Sequence, residues 1–389
     1  MTTLRPSVAA SILLALAIAL FAYFALSEVP HSLRGQPDFP NYYIAGERLR
    51  FGEPLYDEVH SEVIERFGTS SAAYPADPPP TVVLLAPLSL LPYEAAWLTL
   101  AAISTLLVPL VTYRVARESG LATHWAVIAM SLALVSTNFR FLIMSGHMES
   151  LILLAGYLGW RSLREGSETK GGIWWGAATA LKLFPGMWLV GLAAARRSRA
   201  VAGGIAAVAL ILTLGVAVVG LEESWRYVTD VVPRSERWYG ALGNYSVLSF
   251  GTALVGNWFG WILTIAVGAA GLAWFVRRPG QPDRIWSAGI ALALLLSPLA
   301  WHNYMVLTFP ALVILGSRAD LRSSRNRLGF AALVGALAFW GPVVVPSELA
   351  TVLLSFVPTY ALAALFVVSM RQGATEWSSK PEKPSLISS

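Results

Sequence analysis

The feature that most constrains this chain is a succession of apolar runs about twenty residues long, beginning with VAASILLALAIALFAYFALS at 8–27. A helix rises about 1.5 Å per residue, so a run of this length crosses the roughly 30 Å hydrocarbon core of a bilayer. Comparable runs read at 94–116, 122–139, 146–163, 200–220, 257–276, 284–301, 304–317, 328–346 and 348–370. With 56% apolar and 13% charged residues over 389 positions, a soluble domain of this composition would aggregate. The expected fold class is therefore an all-α polytopic membrane protein, with one domain over 1–372 and about ten spans. The first run follows Arg5 and is about twice as long as a signal-peptide core, so it is read as an uncleaved span.

Charge orients these spans. Nineteen of the 28 Lys and Arg residues fall on one side when the runs are taken as alternating crossings, which places both termini in the cytoplasm. The net charge of +5 is thus a topological signal, and nucleic acid is not expected as a partner. Two long polar loops, 28–93 and 221–256, then face outward, and the tail 373–389 reads as disordered. Within the first loop, TVVLLAPLSLL at 81–91 is too short to cross and either lies at the membrane interface or dips in. The segment 171–195 has basic residues at both ends. It is either a hairpin of two short helices entering from the cytoplasm, with Lys182 to Pro185 at its apex, or one kinked helix with a snorkelling lysine. There is no internal repeat.

Several chemistries are excluded at once. The chain has no Cys, so disulfides and thiolate chemistry are absent, and its five His residues lack the spacing of a metal site. No phosphate-binding glycine loop is present, so a nucleotide-powered reaction is not expected, and no cofactor is called for.

The polar candidates collect on the outer side. FPNYYIAGERLRFG predicts a helix from Asn41 to Phe51, with Pro40 near its start and Gly52 at its end. Asp38 just precedes it, and its carboxylate is placed either as a general base toward a substrate hydroxyl or as a helix cap or solvated acid. Tyr42 and Tyr43 follow on the same helix. Asp57 and Asp77 sit in turn-like and proline-stiffened sequence and are read as shaping the loop. At outer span ends lie Arg140, His147 and Glu149, the last an ionisable residue that is functional by default. Asn244 lies in the second loop. Trp301, His302 and Asn303 follow the break at Pro298, at a depth where Trp301 and Tyr304 also suit the interfacial aromatic belt. Lys182 is the most apolar-embedded cation. It either braces the hairpin or binds a lipid phosphate.

In sequence order, these motifs resemble the bacterial polyprenol-phosphate-mannose-dependent alpha-mannosyltransferases of glycosyltransferase family 87, within the glycosyltransferase-C superfamily. The match runs from about residue 10 to 370. It is carried by D-x-x-x-Y-Y-x-A-G-x-x-L-x-x-G-x-P-L-Y-D at Asp38–Asp57, by YPADPPPTVVLLAPLSLLP, and by Ala180-Leu181-Lys182-Leu183-Phe184-Pro185. Gly243-Asn244-Tyr245-Ser246 and Ser297-Pro298 with Trp301 complete it. The resemblance implies a glycosyltransferase-C-like helical bundle in the bacterial plasma membrane, with its active site facing outside. It implies inverting transfer of a mannosyl group from a polyprenyl-phosphate-linked donor to a hydroxyl of a glycolipid or lipoglycan acceptor, among membrane lipids. The family's first-loop aspartate falls on Asp38. Two departures bear on the sugar and acceptor: Gly146-His147-Met148-Glu149 stands where the family has Gly-Gln-x-Asn, and histidine is at 302 while the family's polar position is Asn303.

Two rival classes remain. A transporter predicts polar residues at the bilayer midplane on several spans and usually an internal repeat. Here Lys182 alone breaks the midplane's apolarity. A non-catalytic lipid-binding protein would keep most of the same motifs.

Overall fold

The computed structural model describes residues 6–35, 38–67, 77–278 and 280–371. All regular structure among them is helical. The tail expected to be disordered, 373–389, lies outside the described residues.

The first helix, α1 (Pro6–Gly35), shows how lipid shapes composition. Its buried residues Ala10, Ala17 and Phe24 recur every seven positions as one narrow stripe, while Leu16, Leu20 and Tyr23 are exposed. Apolar residues all round such a helix suit a hydrocarbon solvent. Next come α2 (Phe39–Phe51), α3 (His60–Phe67) and α4 (Pro79–Leu85). As expected, α2 ends at Gly52, whose φ of 69° is a left-handed cap. The 81–91 run does not cross, because α4 passes into a short 3-10 turn at Ala86–Leu90.

Then follow α5 (Tyr93–Glu118), α6 (Thr123–Val135), α7 (Thr137–Ser145), α8 (Glu149–Arg164), α9 (Glu168–Leu181), α10 (Met187–Ala194) and α11 (Ser198–Val219). Among the described residues five helices are long and apolar enough to cross unaided: Pro6–Ser27, α5, α11, Asn257–Arg277 and Glu348–Arg371. The α6–α7 pair makes a sixth if its 51° bend lies within one span. The other expected spans are shorter than read from hydropathy. The 146–163 run begins its helix only at Glu149, 284–301 is Pro282–Leu296, 304–317 is a 3-10 turn followed by Phe309–Arg318, and 328–346 stops at Ala338. Hydropathy counts apolar residues whether or not the backbone stays helical, and ahead of Pro298 and Pro342 the helices end at Leu296 and Ala338 while the apolar runs continue.

The 171–195 segment is a hairpin. Trp175 and Trp188 have ring centroids 5.4 Å apart, and Glu168 lies 3.8 Å from Arg197 at the hairpin's two ends. In one kinked helix, thirteen residues would separate the two tryptophans by roughly 20 Å. The returning chain continues into α11, which packs on α9 through small residues. A Cβ on Gly172 would lie 1.8 Å from the Ala200 carbonyl oxygen, and one on Gly176 would lie 2.3 Å from that of Gly204. Only glycine admits so close an approach. The hairpin's apex is thereby carried to the end of the bundle where α2 and α4 lie, since the Thr81 hydroxyl donates to the Leu181 carbonyl at 2.6 Å.

Candidate active site

Asp38 stands where a capping residue would, at the start of α2, yet its carboxylate makes no capping bond. It is bound instead to Nε2 of His147 at 2.9 Å, and its side chain keeps 34% exposure. The cap alternative is therefore not what this carboxylate does. His147 lies in the link between α7 and α8. That link turns at Gly146 (φ 65°), where a Cβ would come within 2.7 Å of the Phe39 side chain. Tyr42 is four residues beyond Asp38, on the same face of α2. Its phenol oxygen lies 3.0 Å from Nδ1 of His147. The imidazole is gripped on both nitrogens by one helix. Burial holds the Tyr42 phenol well above its ordinary pKa, so it stays a neutral phenol with one proton to give. Burial works against a charge on the His147 imidazole, but Glu149 and Asp38 together raise its pKa above the ordinary value, and Nε2–H donates to Asp38.

A second group adjoins the first. The chain breaks from helix at Lys182, whose ammonium donates to Oε1 of Glu149 at 2.7 Å and to the Tyr304 hydroxyl at 3.0 Å. Glu149 is wholly buried at the first turn of α8, where the helix dipole favours an anion. Its Oε2 has no hydrogen-bond partner among the described residues and lies 3.7 Å from Nδ1 of His147. Tyr304 stacks on Phe184, with centroids 5.4 Å apart, so the hairpin apex supplies both the cation and the platform for its partner.

Asp77 joins the two groups. Its Oδ1 accepts from Tyr42 at 3.5 Å and lies 3.9 Å from Nζ of Lys182. Burial pushes its carboxyl above the usual range, against the opposing pull of Lys182 and His147. Its placement is relayed from the second loop. Glu223 accepts from the backbone N–H of Leu55 and Tyr56 at 2.7 and 3.1 Å, and the Tyr56 hydroxyl donates to the Asp77 carbonyl at 2.9 Å. Arg226 holds Asp57 at 2.6 Å. Asp57 is thus the loop-shaping acid expected of it. Asp77 is a member of the cluster. No group of three or more His, Asp or Glu residues converges as a metal site among the described residues, and Lys182 sits against both Glu149 and Asp77.

Of the candidates, Asp38, Tyr42, His147, Glu149 and Lys182 come together, and the others do not join them. Tyr43 donates to the Leu91 carbonyl at 2.8 Å and meets Tyr93 edge-on, bracing α2 on α5. Arg140 lies 4.5 Å over the Phe24 ring. Asn244 donates to the Pro298 carbonyl at 2.9 Å and accepts from the Ala300 N–H at 2.8 Å, stapling the second loop to the Ser297–Trp301 stretch. Trp301 meets Trp238 edge-on, and His302 packs between Phe141 and Tyr245. Asn303 is buried, and its side-chain amide nitrogen has no partner among the described residues. From that stretch it is Tyr304 that reaches the cluster. Asp77 and Tyr304 are the two members that sequence reasoning passed over. The only signals were the carboxylate inside YPADPPP and a third polar side chain after Trp301.

Residues 76–298 match the profile of glycosyltransferase family 87, a region that includes Asp77, His147, Glu149 and Lys182 and begins after Asp38. No curated protein matches the chain.

Proposed function

The chain belongs to glycosyltransferase family 87 and is a membrane glycosyltransferase; from that premise we propose that it moves a mannosyl group from a polyprenyl-phosphate sugar to a hydroxyl of a glycolipid, lipoglycan or related cell-envelope acceptor, with Asp38 as general base. The reaction takes place on the extracytoplasmic face of a bacterial plasma membrane. One observation supports the base assignment above others. Asp38 is partly exposed, free of capping duty, and fixed through one oxygen by His147, which Tyr42 fixes in turn.

The free oxygen of Asp38 takes the acceptor's hydroxyl proton as that oxygen bonds to the anomeric carbon. The bond from this carbon to the phosphate oxygen breaks on the opposite face, its electron pair leaves with polyprenyl phosphate, and the configuration inverts. Charge then develops on the departing phosphate, and Lys182 is the cation within the cluster that can meet it. The polyprenyl phosphate is itself the activating group, so the departing oxygen needs no second acid.

The test is transfer of radiolabelled mannose from polyprenyl phosphate mannose to membrane glycolipids, comparing wild type with Asp38→Asn. Asp38→Asn is expected to lose about 10²- to 10⁴-fold in rate, the usual contribution of a positioned base. Undiminished transfer by this variant would refute the base assignment. Transfer of a different hexose only, by the wild type, would refute mannose.

A further inference from the structure

We propose that the cleft enclosed by α5, α6, Phe309–Arg318 and Ser324–Ala338 binds one acyl chain of an anionic phospholipid, whose headgroup phosphate is held by Arg117 and Arg327. This site is separate from the cluster around Asp38 and does not depend on its assignment.

The cleft has a volume of about 430 Å³. Its walls are apolar and reach deep into the bundle at Phe309, Leu312 and Ala338, all buried. The one hydroxyl in the wall, on Thr112, is turned back to the Val108 carbonyl at 2.8 Å and offers nothing to a polar ligand. Trp125 and Leu132 stand exposed along its mouth, so a chain can enter from the side.

The headgroup follows from what stands at one end. Leu121 and Leu321 both line the cleft, and each has an arginine fastened to its carbonyl, Arg117 at 2.7 Å and Arg327 at 3.4 Å. Nearby carboxylates are engaged elsewhere. Asp283 is taken by Arg318, Glu165 by Arg161, and Asp320 accepts from the Arg322 N–H. Glu118 accepts from the Tyr157 hydroxyl. Arg327 also donates to the Arg322 carbonyl and the Ser324 hydroxyl, each at 3.2 Å, which still leaves Nε–H and one Nη2–H for an anion, and a phosphate accepts such groups in a fork. An apolar slot with a cationic rim favours an anionic phospholipid, whose phosphate charge no choline offsets, over a zwitterionic one.

The glycosyl donor is a poorer occupant. Along α5 from Tyr93, which packs on Phe39 beside Asp38, Thr112 is nineteen residues away, roughly 28 Å. The arginine rim lies beyond it. A donor must present its phosphate beside Asp38, at the other end of the bundle.

The full-length protein is reconstituted in nanodiscs of phosphatidylcholine with minor phosphatidylglycerol or polyprenyl phosphate, then released for native mass spectrometry. One retained phosphatidylglycerol per chain is expected. Its occupancy should fall at least fivefold in Arg117→Gln/Arg327→Gln and in Ala129→Trp, which fills the cleft, while gel filtration and melting show a folded protein. Should Ala129→Trp fail to fold, the exposed arginine pair carries the test alone. Equal retention of phosphatidylcholine, retention of polyprenyl phosphate in place of phosphatidylglycerol, or unchanged occupancy in the arginine variant would each overturn the proposal.

Discussion

Replacing Lys182 by methionine removes the ammonium that compensates Glu149, whose side chain has no exposure at all and whose contact with Nζ is 2.7 Å. A carboxylate left alone in such surroundings costs about 3–5 kcal/mol, far more than an exposed pair contributes. The loss is compounded here because the Tyr304 hydroxyl loses its donor as well. At roughly 2 °C per kcal/mol for a large domain, Lys182→Met should lower the apparent melting temperature in detergent by about 6–10 °C. Glu149→Gln in the same background removes the stranded charge, so the double variant should regain more than half of that loss. Intrinsic tryptophan fluorescence during a thermal ramp measures all four proteins of the cycle. A single variant that melts within about 1 °C of wild type, or a double variant no better than the single, would refute the charge-compensation argument. Mannosyl transfer separates stability from chemistry, because the recovered double variant should stay inactive if Lys182 meets the departing phosphate.

The other expectations concern the Asp38–His147 pair, the pH response and the hairpin. His147→Gln keeps a donor toward Asp38 but loses the grip of Tyr42, so transfer should fall about tenfold with a shifted pH profile; a profile identical to wild type would make His147 merely structural. Asp77 has a folded pKa above its ordinary value, so its contribution to stability is fully present below about pH 4 and is lost as pH rises through the folded value. Asp77→Asn should therefore gain in melting temperature relative to wild type as pH rises from about 4 toward neutrality, and a constant difference would count against it. Gly176→Leu drives a Cβ to 2.3 Å from the Gly204 carbonyl and should cost about 3 kcal/mol, read as a fall of several degrees in melting temperature.

Sequence reasoning found the local parts of the site. The helix between Pro40 and Gly52, the free acid just ahead of it, and the polar pairs at 147–149 and 182 all follow from capping rules and from the cost of ionisable residues in apolar segments. It set Asp77 aside because a carboxylate among prolines has the same local signature whether it shapes a loop or enters a site. It left Lys182 between bracing the hairpin and binding a lipid phosphate, because hydropathy cannot see that Glu149, 33 residues earlier, reaches it at 2.7 Å. Tyr43, Arg140 and Asn244 erred in the opposite direction. They are polar residues in the right loops, but packing turns them to Leu91, Phe24 and Pro298.

The sequence by itself determined the solvent of this protein and its chemical alphabet. Runs of about twenty apolar residues have no stable home outside lipid, and a chain without cysteine, metal spacing or a phosphate loop is left with carboxylates, histidines, arginines and lysines to work with. Tertiary structure alone decided which of those groups meet. It made 171–195 a hairpin, because Gly172 and Gly176 let α9 approach α11 to backbone contact, and so carried Lys182 to Glu149, Tyr304 and Asp77. Hydropathy depends on each residue's own transfer free energy. A site depends on distances between residues far apart in the chain, and these are fixed only when the helices pack.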